Sequence, residues 1–136
     1  MSHRLLVIDD AAVHRMILCR VAEKLGFEVT GASSFAEAEA QLRSGRFDGI
    51  TLDLSLGDRA GVEILRLLSD LKSEAPIIVI SGSESTILHE SVRIGKSLGL
   101  DIKVPISKPV DLSVFRDELT KIGKQVDLRK LARVLS

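Results

Sequence analysis

Four groups of residues in this chain carry side chains suited to chemistry. Asp9-Asp10 follows the apolar run Leu5 to Ile8, Asp53 follows Gly49 to Leu52, Ser81-Gly82 follows Ile77 to Ile80, and Lys108-Pro109 follows Leu100 to Val104. Three carboxylates brought to one edge repel one another unless a cation lies among them. A hard divalent ion with oxygen ligands meets that need, and Mg2+ is the usual occupant of open sites beside phosphates. A lysine ammonium and a serine hydroxyl in the same place complement phosphoryl oxygens. A carboxylate can itself act as the nucleophile and form an acyl phosphate. The combination therefore reads as an aspartate that becomes phosphorylated. Taken singly, each group has a plainer reading: Asp10 could cap a helix, Asp53 and Ser81-Gly82 could be turn residues, and Lys108-Pro109 could be a loop entering a helix. Their common placement at the ends of apolar runs is what coincidence explains poorly.

Short aliphatic runs alternate with stretches of helical periodicity, which predicts strands over Leu5 to Ile8, Phe27 to Gly31, Gly49 to Leu52, Ile77 to Ile80 and Leu100 to Val104. The first and fourth are apolar at every position, as strands covered on both faces require. Pro76 suits the opening of a strand, where its missing N–H does least harm. In the first helix, Val13, Ile17, Val21 and Leu25 form the expected buried stripe, widened by Met16 and Leu18, and Gly26 ends it. Ser34 and Glu37 read as a capping box opening a second helix through Leu42. Further helices are expected from Gly61 to Leu71, from Ser85 to Leu98, and from a cap at Asp111 through Val114, Phe115, Leu119 and Ile122. Five βα units predict a doubly wound α/β domain, whose ligands bind outside the carboxyl ends of the strands. That domain is expected over 1–123, followed by a basic helical tail or linker over 124–136. The tail could extend the last helix, form a packing or dimer element, or begin a linker.

Composition excludes other classes. A chain of 136 residues suits one domain with its own core, and the lone Cys19 cannot form an internal disulfide, which favours a reducing, cytoplasmic setting. Lys plus Arg and Asp plus Glu both number 19, and four Phe are the only aromatics among Phe, Tyr and Trp, so neither a broad basic footprint nor base-stacking platforms are expected. The balance conceals a basic end, where Lys121, Lys124, Arg129, Lys130 and Arg133 face only Asp127. No run is long enough to span a membrane or serve as a signal-peptide core. Neither a nucleic-acid nor a membrane partner is expected. His3, His14 and His89 lack metal-ligand spacing, and His14 is expected at the surface of the first helix.

From Arg4 to about Ile122 the chain resembles the receiver domains of two-component response regulators. The acidic pair stands in Leu-Leu-Val-Ile-Asp9-Asp10, the phosphoacceptor in Gly-Ile-Thr-Leu-Asp53-Leu, the switch hydroxyl in Ile-Val-Ile-Ser81-Gly82 and the lysine in Ser107-Lys108-Pro109, with Gly61 also matching. The resemblance implies a flavodoxin-like five-stranded parallel sheet in the order 2-1-3-4-5 with five flanking helices. It implies Mg2+ bound directly by Asp10 and Asp53, through water by Asp9, and by the carbonyl of Ser55. Lys108 and Ser81 would hold the phosphoryl oxygens. The implied donor is a sensor histidine kinase, a phosphotransfer protein or a small acyl phosphate. Ser81 then moves toward the phosphate, and the surface around the fourth helix and fifth strand rearranges for a downstream effector. The resemblance implies a signalling phosphoacceptor and not an enzyme; separately, the apolar stripe of the tail makes a homodimer through the last helix and tail one form of assembly open to the chain.

Some positions depart from that pattern. Leu56-Gly57-Asp58 stands where the family often has a proline, and Pro105 replaces an aromatic switch residue. The expectation is activation through Ser81 and loop rearrangement alone. The long stretch from Ser81 to Lys108 resembles receivers that precede cyclic-di-GMP phosphodiesterase modules, although no phosphodiesterase motif is present. The alternative reading is a pseudo-receiver, an interaction or dimerisation module with little phosphorylation. A haloacid-dehalogenase-like phosphatase is disfavoured because Ser55 occupies the position of that family's second aspartate. A dinucleotide fold is disfavoured because Asp-Asp-Ala-Ala, not a glycine-rich turn, follows the first strand.

Overall fold

The computed structural model describes residues 2–55, 61–82 and 85–136. Strands and helices alternate as β1 (Arg4–Ile8), α1 (Ala12–Lys24), β2 (Glu28–Ala32), α2 (Phe35–Ser44), β3 (Gly49–Asp53), α3 (Gly61–Asp70), β4 (Ile77–Ser81), α4 (Ser85–Ser97), β5 (Ile106–Ser107) and α5 (Leu112–Leu135). The sheet is parallel in the expected order β2-β1-β3-β4-β5. Successive side chains of a strand address opposite faces. Leu6, Ile8, Ile77 and Val79 join a core with Ala38, Ile64, Leu65 and Leu68 of α2 and α3, against which Leu88 and Val92 of α4 pack. Leu5, Val7, Ile78 and Ile80 join a second core with Leu18, Ala22, Phe115, Leu119 and Ile122 of α1 and α5. Both faces are thus covered, which is why β1 and β4 carry no polar alternation.

Two elements differ from expectation. In α1 the buried residues are Leu18 and Ala22, whereas Val13, Met16 and Ile17, and Leu25 at its C-cap, are exposed at 67%, 49%, 39% and 40%. The small Ala22 allows the helix to lie close to the sheet. Contacts from His14 and Arg15 to Asp9 fix the rotation of its first turn.

The fifth strand is two residues, Ile106–Ser107, and the predicted strand Leu100 to Val104 contributes only an isolated bridge from Ile102 to Ile77. Four steps separate Ile102 from Ile106, but only three separate their partners Ile77 and Ile80. The edge therefore carries an extra residue at a bulge-like break. Pro105, which lacks an N–H, and the exposed Val104 fall within it. Ile102 and Ile106 consequently face opposite cores.

The last helix continues through Gly123 to Leu135. Asp111 caps it, accepting from Ser113 N at 2.9 Å. At the far end Val126 is buried, Arg129 donates to the Glu74 carbonyl at 2.7 Å, and Gln125 donates to Asp101 at 2.7 Å. Leu128, Leu131, Val134 and Leu135 remain exposed.

Candidate functional site

Parallel pairing of Ile8 with Leu52, and of Asp53 with Ile80, sets the ends of β1, β3 and β4 side by side. The acidic residues emerge there. Asp9 and Asp53 are both 1% exposed. Asp9 accepts from Ala11 N at 2.9 Å through one oxygen, and its other oxygen meets Nδ1 of His14. Asp53 accepts from Ser55 N at 2.8 Å through one oxygen and takes the Lys108 ammonium on the other. Two buried carboxylates are therefore each held by a cationic or hydrogen-bonding partner, the condition for burying such charge.

The lysine is delivered by the sheet edge. Lys108 N donates to the Ser81 carbonyl at 3.0 Å, Ser81 pairs with Ser107, and the Lys108–Pro109 peptide bond is cis. A Cβ on Gly82 would stand 3.2 Å from Cδ of Lys108, so the bare glycine gives the lysine stem its path toward Asp53. Gly61 has a similar role. Its Cβ would come within 2.7 Å of Leu54 Cδ2 and 3.1 Å of Leu54 Cα, so α3 closes directly onto the residue that follows Asp53.

The structure brings Asp9, Asp53, Ser81 and Lys108 to one edge, with Ser81 2% exposed. It leaves Asp10 exposed, outside the group of ligand atoms that approach one another. That group consists of Asp9, His14 and Asp53, whose ligand atoms all lie within 4.8 Å of one another. His14 is thus a correction: expected at the surface, it is only 25% exposed and faces the carboxylates. The signal was legible in principle, because helical side chains lean toward the N-terminus. A residue one turn into α1 therefore points back at the end of β1. Ser55 is exposed and contributes its N–H to Asp53. The Leu56-Gly57-Asp58 departure lies outside the described residues. Burial, then nearby Glu23, pushes the Cys19 thiol up, which removes it as a nucleophile.

A cleft of about 690 Å³ lies at the opposite end of the sheet, lined by residues including Arg4, Arg46, Lys72 and Arg129. It holds none of the residues with phosphoacceptor chemistry.

The response regulator receiver domain family matches residues 5–120. The chain belongs to that family. It is 29% identical over 126 residues to the chemotaxis protein CheY of Thermotoga maritima, covering 91% of this receiver and 100% of that protein. A receiver domain structure from Methanospirillum hungatei superposes with a TM-score of 0.80 at 26% identity, over 97% of this chain and 99% of that one. A response regulator from Burkholderia pseudomallei, solved with a phosphorylated aspartic acid, a calcium ion and citrate, gives a TM-score of 0.74 at 27% identity, over 97% and 75% of the two chains. The protein is a CheY-like receiver domain of two-component signalling.

Receiver domains bind Mg2+ at their acidic pocket and engage histidine kinases or phosphotransfer proteins and effectors. The donor set here fits such an ion. Two carboxylates nearly closed to solvent converge on one point, and the groups now facing them are a lysine and an imidazole. Among the described residues, no helix is long and apolar enough to cross a membrane.

Proposed function

We propose that this receiver is a phosphoacceptor in which Asp53 takes a phosphoryl group from a sensor histidine kinase, a phosphotransfer protein or a small acyl phosphate. The observation that carries this reading is the buried Asp53 carboxylate, which meets Lys108 and has a ligand atom within 4.8 Å of those of Asp9 and His14 at the edge of the sheet. An oxygen of Asp53 attacks phosphorus and the P–N bond to the donor histidine breaks. The departing imidazole keeps the electron pair, and an aspartyl phosphate remains. Lys108 exchanges its contact with Asp53 for one with a phosphoryl oxygen, and the Ser81 hydroxyl donates to another. Asp53, Asp10 and the Ser55 carbonyl, with Asp9 through water, would hold Mg2+, which would supply charge neutralisation at the phosphoryl group. The phosphorylated aspartic acid of the Burkholderia pseudomallei relative supports the same chemistry here.

Val13, Met16 and Ile17 form an exposed apolar face on the first turns of α1, beside the pocket, and serve as the landing surface for the donor protein. Output runs through Ser81 and loop rearrangement around α4 and β5, since Pro105 offers no ring to turn inward. Identical α4–β5 geometry with and without a phosphate mimic would sink that part. Residues 1–123 form the receiver unit, working in the cytoplasm with no catalysis beyond gaining and losing its own phosphate. The tail over 124–136 carries Leu128, Leu131 and Leu135 exposed on α5, a face suited to a second copy of the chain.

The test is incubation with acetyl phosphate and Mg2+ followed by intact mass spectrometry. A single phosphate removed by hydroxylamine is expected, absent in Asp53→Asn. No adduct, or an adduct that survives the substitution, overturns the assignment.

A further inference from the structure

We infer that His14 is a metal ligand, making the pocket a mixed nitrogen and oxygen site that takes first-row transition divalents such as Co2+ or Zn2+ more tightly than Mg2+. The inference rests on the reading of this pocket as an ion site. It adds a residue and enlarges an ion preference beyond what the acidic residues alone would produce.

The geometry is already close to that of a coordination shell. Bonds of about 2.1 Å in an octahedral shell separate adjacent ligand atoms by roughly 3.0 Å and opposite ones by roughly 4.2 Å. One ligand atom from each of Asp9, His14 and Asp53 lies within 4.8 Å of the other two. An ion thus needs only small side-chain adjustments, in which the His14–Asp9 contact opens to admit it. Asp9 and Asp53 cannot turn away into solvent, being 1% exposed and tied by Ala11 N and Ser55 N. His14 sits on the first turn of α1 and is 25% exposed, so the ring closes the carboxylate pair on its solvent side. Ligation uses the Nδ1 lone pair, with the ring proton on Nε2.

The chemical consequence is selectivity. Mg2+ prefers oxygen ligands and retained water, whereas imidazole favours the later first-row divalents. A site of carboxylates alone already binds the later first-row divalents somewhat more tightly than Mg2+. One imidazole raises affinity for Co2+ and Zn2+ while adding little for Mg2+.

The test compares the wild-type protein with His14→Gln, using calorimetric titration of Co2+ and Mg2+ and pulsed electron spin-echo spectra of the Mn2+-loaded protein. The wild-type spectrum should show modulation from a directly bound 14N nucleus, lost in H14Q. The substitution should weaken Co2+ binding by roughly tenfold or more and leave Mg2+ binding within about threefold. Nitrogen modulation that is absent from the wild type, or that persists in H14Q, overturns the inference. So does an unchanged ratio of Co2+ to Mg2+ affinity. If ions bind through oxygen alone while Asp53 still accepts phosphate, His14 loses its role and the phosphoacceptor function stands. If neither ion binds and Asp53 takes no phosphate, both fall. Should H14Q fail to fold, a Zn2+-soaked wild-type crystal decides: an ion about 2.0–2.1 Å from Nδ1 of His14 supports the inference, and an ion bound without the imidazole overturns it.

Discussion

Replacing Lys108 by Met keeps most of the side chain's bulk and removes its charge, which isolates the part played by the ammonium. The Asp53 carboxylate, 1% exposed, would be left with the Ser55 N–H at 2.8 Å as its hydrogen-bond donor. Removing one partner of a fully buried ion pair costs about 3–5 kcal/mol. The Lys108 side chain is 28% exposed, so water reaches the vacated place and the cost falls to about 1–2 kcal/mol. For a domain of this size that lowers Tm by about 4–8 °C. Thermal melts followed by circular dichroism, without divalent ions, measure the change. Millimolar Mg2+ should then raise Tm of Lys108→Met more than that of the wild type, because the dication replaces the missing countercharge. Adding Asp53→Asn to Lys108→Met should recover most of the loss, since no charge is left unpaired. A variant that melts with the wild type, or equal Mg2+ increments in both proteins, would refute the reasoning: the contact would then have no energetic consequence.

Gly61→Ala places a methyl 2.7 Å from Leu54 Cδ2 and 3.1 Å from its Cα, so melts should show a loss of about 1–3 kcal/mol. Acetyl phosphate time courses on the same variant should show slower labelling of Asp53. Ile17→Glu changes a residue 39% exposed on α1. It should slow transfer from a histidine-phosphorylated donor, leave labelling by acetyl phosphate unaltered, and shift stability by no more than about 0.5 kcal/mol. The Ser113 side chain first, then the backbone N–H groups of Ser113 and Val114, hold Asp111 below its ordinary value of 3.8. A depressed folded-state value means that the cap's contribution is complete above 3.8 and disappears as pH falls through the lower value. The gap in Tm between wild type and Asp111→Ala should therefore narrow under acid.

The strands at the centre of the sheet were readable because runs such as Leu5 to Ile8 and Ile77 to Ile80 permit little but burial on both faces. Capping was readable at Ser34 and Asp111 because their side chains accept local backbone N–H groups. The buried face of α1 was not, because a count of apolar residues ranks Val13 and Ile17 above Ala22. Close packing on the sheet ranks them the other way. The fifth strand escaped because the run Leu100 to Val104 is apolar enough for a strand, while the pairing that matters resumes beyond Pro105. In the site, the chemical types at the strand ends brought Asp9, Asp53, Ser81 and Lys108 into view. His14 was missed because its partners lie just past the end of β1 and at the end of β3, so its role depends on which way the helix is turned.

The extra residue at the edge of the sheet bears on how the chain can change in length. Register between Ile106 and Ile80, and with it the approach of Lys108 to Asp53, is set after the break. Deleting one residue between Lys103 and Pro105 would equalise the steps on the two strands, giving three on each side, and leave Lys108 in place. A deletion between Ile106 and Lys108 would instead carry the ammonium off its target. Among the described residues no further strand pairs beyond β5, so a change of length within the break between Ile102 and Ile106 shifts no other strand. The break between Ile102 and Ile106 can therefore change length without altering the chemistry, because the change is absorbed before the last two paired residues.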